Sequence, residues 1–270
     1  MTVSIADIQV YPIKSLGGFS VKEWPVLPEG LAFDRQWMLV DENGKFITQR
    51  ANANLALLKV HYFHWEDDFF EVESLLTQSK IQIPIKFSSE SKKTIVWDDE
   101  VDSFYYQNDI NKWFSSELGM DCFLVKKDTN FIRQVDLNFA SPNNSTGFSD
   151  GFPVLVISES SLNDLNSRLE FPVPMNRFRP NIVLSGTHAF QEDETRELIL
   201  GETEFNLVKP CGRCIMTTIN QSTAEKTAEP LNTLSLYRAF NNKILFGMNA
   251  LVKRTGKIYL NELVHLVQSS

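Results

Sequence analysis

The chain is dominated by short runs in which apolar and polar residues alternate, each cut off by turn-forming residues. VSIADIQVYPI (residues 3–13) alternates until Pro12 interrupts it. WMLVDENGKFITQR (37–50) holds an apolar run, then Asn43-Gly44, then an alternating return, the pattern of a hairpin. DDFFEVES and SKIQIPIKF read as two further strands, and TIVWDDEVDSFYY as another. KILFGMNALVKRTGKIYLNELVHLV returns to strand patterns separated by Gly-containing turns. A period of two sends successive side chains to opposite faces of a pleated strand, so runs of this kind must pair into sheets to bury one face.

Helical signals are few. NDINKWFSSELG (108–119) places Trp113, Phe114 and Leu118 on one face, with Gly119 as the C-terminal stop. SESSLNDLNSRLE (158–170) begins at an N-capping Ser158 and aligns Leu162, Leu165 and Leu169. PLNTLSLYRAF, with Pro230 at its start, reads as a third helix. FASPNNSTGFSDGFP (139–153), rich in Ser, Asn, Gly and Pro, reads as a long functional loop or a joint between the halves. These elements predict a mainly β protein with a few helices (α+β), organised as a β-rich N-terminal domain over residues 1–120 and a second β domain over 121–270.

The 270 residues suffice for a sizeable core, and 43% apolar with 22% charged residues is an ordinary globular balance. A formal net charge of −8 argues against a general nucleic-acid binder. No run approaches the roughly 20 apolar residues that span a bilayer, and the first residues do not read as a signal peptide, so neither nucleic acid nor membrane is expected as a partner. Three cysteines do not make a secreted disulfide framework; a reducing compartment, most simply the cytoplasm, is expected.

Two of the three cysteines stand in LVKPCGRCIMTTIN (207–220), and the pair admits four readings. Zinc would need a second half-site, yet Cys122 is isolated and the four histidines form no spaced pair. A thioredoxin-like dithiol opens a helix, whereas the β-branched IMTTIN favours a strand. Two small buried hydrophobes are the bland reading. The fourth is a single thiolate on a soft metal, its ionised form favoured by the neighbouring Arg213. The pair alone does not choose among them.

Four stretches together supply a resemblance. KPCGRCIMTTIN resembles the cysteine motif of MOSC-domain proteins, and RFRPNIVLSG (177–186) a second signature of that domain. YPIKSLGG (11–18) and GLAFDRQWMLVD (30–41) resemble the MOSC N-terminal β-barrel domain that precedes it, in the family's usual order. The chain is thus similar to the YcbX-like proteins and the mitochondrial amidoxime-reducing components. The resemblance implies an N-terminal MOSC β-barrel-like domain followed by a MOSC β-barrel. It also implies a molybdenum cofactor (Mo-molybdopterin), whose pterin dithiolene and one protein cysteine hold the metal. By motif position that cysteine is Cys214, with Cys211 in a supporting or packing role. A family-level association with pyridoxal phosphate comes with the resemblance.

The cofactor is anionic, so an acidic protein must gather cations and donors locally to hold it. The resemblance assigns cofactor contacts to Lys14, Ser15, Arg35, Arg179 and Asn181, with Gly212 and Arg213 beside the cysteines. Pro180 is expected to hold residue 179 extended. FSDGFPVLVIS matches the cofactor-binding stretch through Ser149, Asp150 and Gly151, although Gly151 and Phe152 replace small hydroxyl residues of the eukaryotic relatives. Phe246, Gly247 and Asn249 are weaker candidates; Asp193 would orient an arginine, and His188 is structural. Each position has a plain alternative: Lys14 as a solvated lysine, Arg35 in a surface pair with Asp34, Arg179 paired with Asp193, Asn181 capping a turn.

The implied activity is reduction of a small N-hydroxylated substrate, consuming two electrons and two protons and releasing water. Three cysteines cannot supply both the metal ligand and a four-cysteine iron–sulfur cluster, so electrons would come from a separate donor: a ferredoxin, a flavoprotein reductase or a cytochrome. Two alternatives stay open: a cofactor or sulfur carrier without turnover, and a non-catalytic scaffold with buried, inert cysteines.

Overall fold

The computed structural model describes residues 2–64, 66–87 and 89–268. The first alternating run is β1 (Ser4–Val10), and it ends where Pro12 removes a donor. After a loop come β2 (Phe19–Ser20), β3 (Glu23–Leu27), β4 (Gly30–Leu31) and β5 (Trp37–Val40). The chain reverses at Asn43-Gly44, where Gly44 has φ +73°. Its return arm is joined to β5 only locally, through a Val40–Phe46 bridge, because Lys45 bridges sideways to Ile95. A meander follows: β6 (Leu58–Phe63), β7 (Phe69–Ser74) and β8 (Lys80–Pro84), with Pro84 on the edge strand where its missing N–H costs nothing.

TIVWDDEVDSFYY, expected as one strand, contributes to two. β9 (Ser91–Val96) and β10 (Asp99–Tyr105) pair antiparallel from Val96↔Asp99, leaving a two-residue turn at Trp97-Asp98 with Trp97 at φ +57°. Helix α1 (Asn108–Leu118) buries Asn111, Phe114 and Leu118 and stops at Gly119, φ +65°, whose N–H bonds the Ser115 carbonyl. β11 (Phe123–Lys127) then pairs with both β10 and β5.

The irregular stretch 128–153 leads to β12 (Val154–Ser158) and α2 (Glu159–Asn166), capped by the Ser158 side chain accepting from the Ser161 N–H. β13 (Ile182–Ser185), α3 (Gln191–Glu194), β14 (Thr195–Leu200) and β15 (Thr203–Arg213) follow. α4 (Leu231–Tyr237), β16 (Ala239–Phe240), β17 (Lys243–Arg254), β18 (Gly256–Tyr259) and β19 (His265–Gln268) complete the fold.

The largest sheet runs β19-β14-β15-β17-β12-β13-β1-β2, with β16 on the flank of β17. It curls until its ends approach: Ser4 in β1 bridges Leu263, and Val264 N–H bonds the Val3 carbonyl. The join is a short run of backbone bonds, completed by Ile5 N–H to the Glu262 carbonyl and Asn261 N–H to the Ile5 carbonyl, not the long strand ladder that the barrel expectation implied. β1 therefore belongs to the sheet of the C-terminal half. The β5-β11-β10-β9 sheet and the β6-β7-β8 meander belong to the N-terminal half. The architecture is mainly β with four α-helices among the described residues.

One core holds the halves together. Trp37, Phe63 and Phe70 lie at its centre, with ring centroids 4.9–6.3 Å apart, and Ile5, Ile8, Val154 and Ile182 continue it under the large sheet. Trp37 meets both phenylalanines edge-on while Phe63 and Phe70 stack, and aromatic contacts of these kinds add to area burial. The expected boundary near residue 120 lies between α1 and β11. No described helix is long and apolar enough to cross a membrane.

Candidate active site

A cleft of about 160 Å³ opens where the loop after β1, the stretch before β12, the turn before β13 and the end of β15 converge. All twelve residues singled out from the sequence line it: Lys14, Ser15, Arg35, Ser149, Asp150, Gly151, Arg179, Asn181, Cys211, Gly212, Arg213 and Cys214. The cleft continues into a shallower groove of about 710 Å³ that shares Asp150, Cys211 and Asn249 with it.

The positions are built by local strain and by long-range bonds. Ser15, Arg35 and Arg179 all have left-handed backbones, with φ of +68°, +48° and +57°. Such residues persist only where their surroundings over-determine them. Arg179 therefore corrects the expectation of an extended residue before Pro180. Its carbonyl accepts from Arg35 Nη2 at 3.1 Å, its Nη1 donates to the Leu16 carbonyl at 2.6 Å, and its guanidinium lies 4.3 Å from the Tyr11 ring. These tertiary contacts outweigh the local rule. Burial, then Arg35, pushes the Arg179 pKa down to about 10.

Arg35 does pair with Asp34, at 2.5 Å, but inside the protein: the Asp34 side chain is 2% exposed and also accepts the Tyr11 N–H. Burial raises the Asp34 pKa against the pull of Arg35. Asp193 does not meet Arg179; it binds Arg238, as an acid that orients an arginine should. Asn181 spends its amide inside the framework, donating to the Gln9 carbonyl and accepting the Leu155 N–H.

Lys14 is buried. Its Nζ donates to the Phe148 carbonyl at 2.7 Å and to Asp150 Oδ1 at 2.5 Å. Burial lowers its pKa, partly offset by Asp150. Desolvation by the surrounding cleft opposes ionisation of the half-exposed Asp150, but Lys14 and then Arg50 outweigh it and hold the carboxyl well below the usual range. Ser149 shares a hydrogen bond with Thr146, and its carbonyl accepts from Arg133. A side chain on Gly151 would meet nothing within 4 Å. Among the weaker candidates, Asn249 lines the cleft, whereas Phe246 is buried against Phe178 at 4.4 Å and Gly247 supports Ile157. His188 is exposed beside Glu194.

The two cysteines of the motif are both partly accessible, and Cys122 is buried, its thiol pushed up to about 11 by burial. After Cys214 the chain forms a 3-10 turn, Ile215–Thr218, instead of the expected strand: the Thr217 N–H and hydroxyl both bond back to the Cys214 carbonyl. Arg213 is not the cation on Cys214. Its Nη1 donates to Cys211 Sγ at 3.0 Å and its Nη2 to the Phe178 carbonyl. Residues two apart in a strand share a face, so 211 and 213 meet and 214 turns away. Cys214 Sγ instead receives Nη2 of Arg50 at 3.3 Å. Arg50 and Trp97 lie outside the selected residues, and Arg177, inside RFRPNIVLSG, also lines the cleft. Neither Arg50 nor Trp97 carries a local signal.

The MOSC N-terminal beta barrel domain family matches residues 2–121, and the MOSC domain family matches residues 143–265. The chain belongs to the MOSC family. It is 33% identical to mitochondrial amidoxime-reducing component 1 of Mus musculus, over 98% of this chain and 82% of that protein. It is 32% identical to component 2 of Bos taurus, over 97% and 82%. Against the molybdenum cofactor sulfurase of Oryza sativa it is 32% identical over 91% of its length, but spans only 32% of that larger protein.

This MOSC cleft has the make-up of an anion site around two thiols. Five cations line it, Lys14, Arg35, Arg177, Arg179 and Arg213, against the one carboxylate of Asp150. Arg177 Nε and Arg213 Nε are buried without a partner. Among the described residues no group of three His, Cys, Asp or Glu could hold a bare metal ion. A metal on Cys214 would have to arrive with most of its ligands already attached.

Proposed function

We propose that this MOSC protein binds a molybdenum pterin cofactor in the cleft, with Cys214 as the metal's protein ligand, and reduces small N-hydroxylated compounds with electrons from a separate donor protein. The observation that carries this reading is a pair of partly accessible thiols, Cys211 and Cys214, set among five lining cations and a single carboxylate. An anionic ligand that brings its own sulfur donors fits that donor set; a free cation does not.

The bound group would supply two-electron chemistry at molybdenum; the protein holds and shields it. Arg35 and Arg179 are both braced on Tyr11, each 4.3 Å from its ring, and present planar cations that suit phosphate or pterin oxygens. Lys14 and Asp150 set the Ser149–Gly151 backbone in place, because Lys14 holds the Phe148 carbonyl and the Asp150 carboxylate together. The wider groove, which shares Cys211, Gly212 and Arg213 with the cleft, is where a substrate would enter.

Molybdenum and pterin analysis tests the proposal, on wild type and Cys214→Ala made in a host that synthesises the cofactor. Near-stoichiometric molybdenum in wild type, its loss in the variant, and reduction of benzamidoxime with a chemical electron donor are expected. Equal molybdenum in both proteins would remove Cys214 from its role. Metal and pterin without turnover would instead favour a carrier, in line with the similarity to the sulfurases.

A further inference from the structure

The geometry points to Arg50 as the residue that positions the Cys214 sulfur for metal binding, an assignment that rests on Cys214 being the metal's ligand. Arg50 ends the return arm of the β5 turn, 164 positions before the cysteine. Its Nη2 lies 3.3 Å from Cys214 Sγ and 3.0 Å from Asp150 Oδ2, and its guanidinium lies 4.7 Å from the Trp97 ring. Asp150 is itself fixed through Oδ1 by Lys14 at 2.5 Å and by the Trp97 indole N–H at 3.3 Å. Arg50 therefore sits in a closed set of contacts: its Nη2 is shared between carboxylate and sulfur, and its guanidinium lies over the indole.

This arrangement does two things to the sulfur. It aims Sγ along one direction, because a guanidinium stacked on an aromatic ring and bonded to a fixed carboxylate has little freedom left. It also donates an N–H to the sulfur, which withdraws electron density from a thiolate. A metal bound to that sulfur then receives less charge, so its reduced state is favoured and its potential rises, as hydrogen bonds to ligating sulfurs do elsewhere. Arg213 does not substitute, since it is held on Cys211 and Phe178. Arg50 is thus a positioning residue, acting through Cys214 and not on substrate.

The test compares wild type, Arg50→Gln, Arg50→Lys and Cys214→Ala from a cofactor-producing host. Molybdenum per chain is followed through dialysis, and the potential of the bound metal is read by a redox titration monitored by electron paramagnetic resonance. Arg50→Gln should bind the metal about tenfold more weakly, with the remaining metal at a lower potential. Arg50→Lys keeps a cation for Asp150 but loses the fork, so its potential should also fall while its melting temperature stays closer to wild type; it carries the test if Arg50→Gln folds poorly. Wild-type occupancy and potential in Arg50→Lys would overturn the role of Arg50 and leave Cys214 standing. Wild type without molybdenum would overturn the ligand reading and the Arg50 role together.

Discussion

Replacing Asp150 with Asn should weaken the protein at neutral pH and weaken it less as the pH falls below about 4. The Asp150 carboxylate accepts from Lys14 at 2.5 Å, Arg50 at 3.0 Å and the Trp97 indole at 3.3 Å. A hydrogen bond to a charged group contributes about 1.5–3 kcal/mol. Lys14 is 5% exposed but the Asp150 side chain is 53% exposed, so solvent screening reduces the pair's worth. A loss of roughly 1–2 kcal/mol remains, because Asn keeps one acceptor for Lys14 or Trp97. For a chain of this size that lowers the melting temperature by roughly 2–4 °C.

The pH dependence follows from the direction of the shift. The folded carboxyl is held below its ordinary range, so its contribution is present above the unfolded value of about 4 and is lost as pH falls through the folded value. The assay is thermal unfolding of both proteins by circular dichroism at pH 7, 5, 4 and 3. The gap between the two melting temperatures should be constant from pH 7 to 5 and shrink below about pH 4. A gap that widens in acid, or no gap at pH 7, would refute the picture of a carboxylate that ties Lys14 to Arg50.

Three other outcomes follow from the same structure. In cofactor-free protein, a thiol reagent should titrate Cys211 and Cys214 in the native state and Cys122 only after denaturation, since Cys122 is buried and its thiol is pushed up to about 11; rapid native reaction of Cys122 would contradict its burial. Phe178→Ala should cost about 3–5 kcal/mol by chemical denaturation, because the ring is fully buried against Phe246. Gly247→Ala should lower the melting temperature whereas Gly151→Ser should not: Gly247 has φ +78° and a Cβ there would lie 2.6 Å from Ile157, while Gly151 faces open space.

Much of the fold is legible in the sequence where its cause is local. Ser158 caps α2 with its own hydroxyl, and Gly119 ends α1 in the left-handed region that glycine reaches without strain. The alternation of residues 3–13 and 69–74 becomes β1 and β7 because period two is a property of the strand itself. The twelve cleft residues were legible for a different reason: they lie in four motifs whose resemblance to MOSC proteins carries their grouping, though not their contacts.

The contacts are decided by tertiary structure. Pro180 predicts an extended Arg179, yet bonds to Leu16 and Arg35 from the other half of the chain hold it left-handed. Arg213 stands next to Cys214 in sequence, yet strand geometry gives it to Cys211 and brings Arg50 across instead. Trp97 reads as part of a strand but becomes a turn against which Arg50 stacks. Alternation and capping act over a few residues, so sheets with a few capped helices, and the places of the motif residues along the chain, are written locally. Which cation meets which sulfur, and which backbone is forced out of its preferred region, was settled only by packing between segments more than a hundred residues apart, where each side chain answers to neighbours that no local pattern encodes.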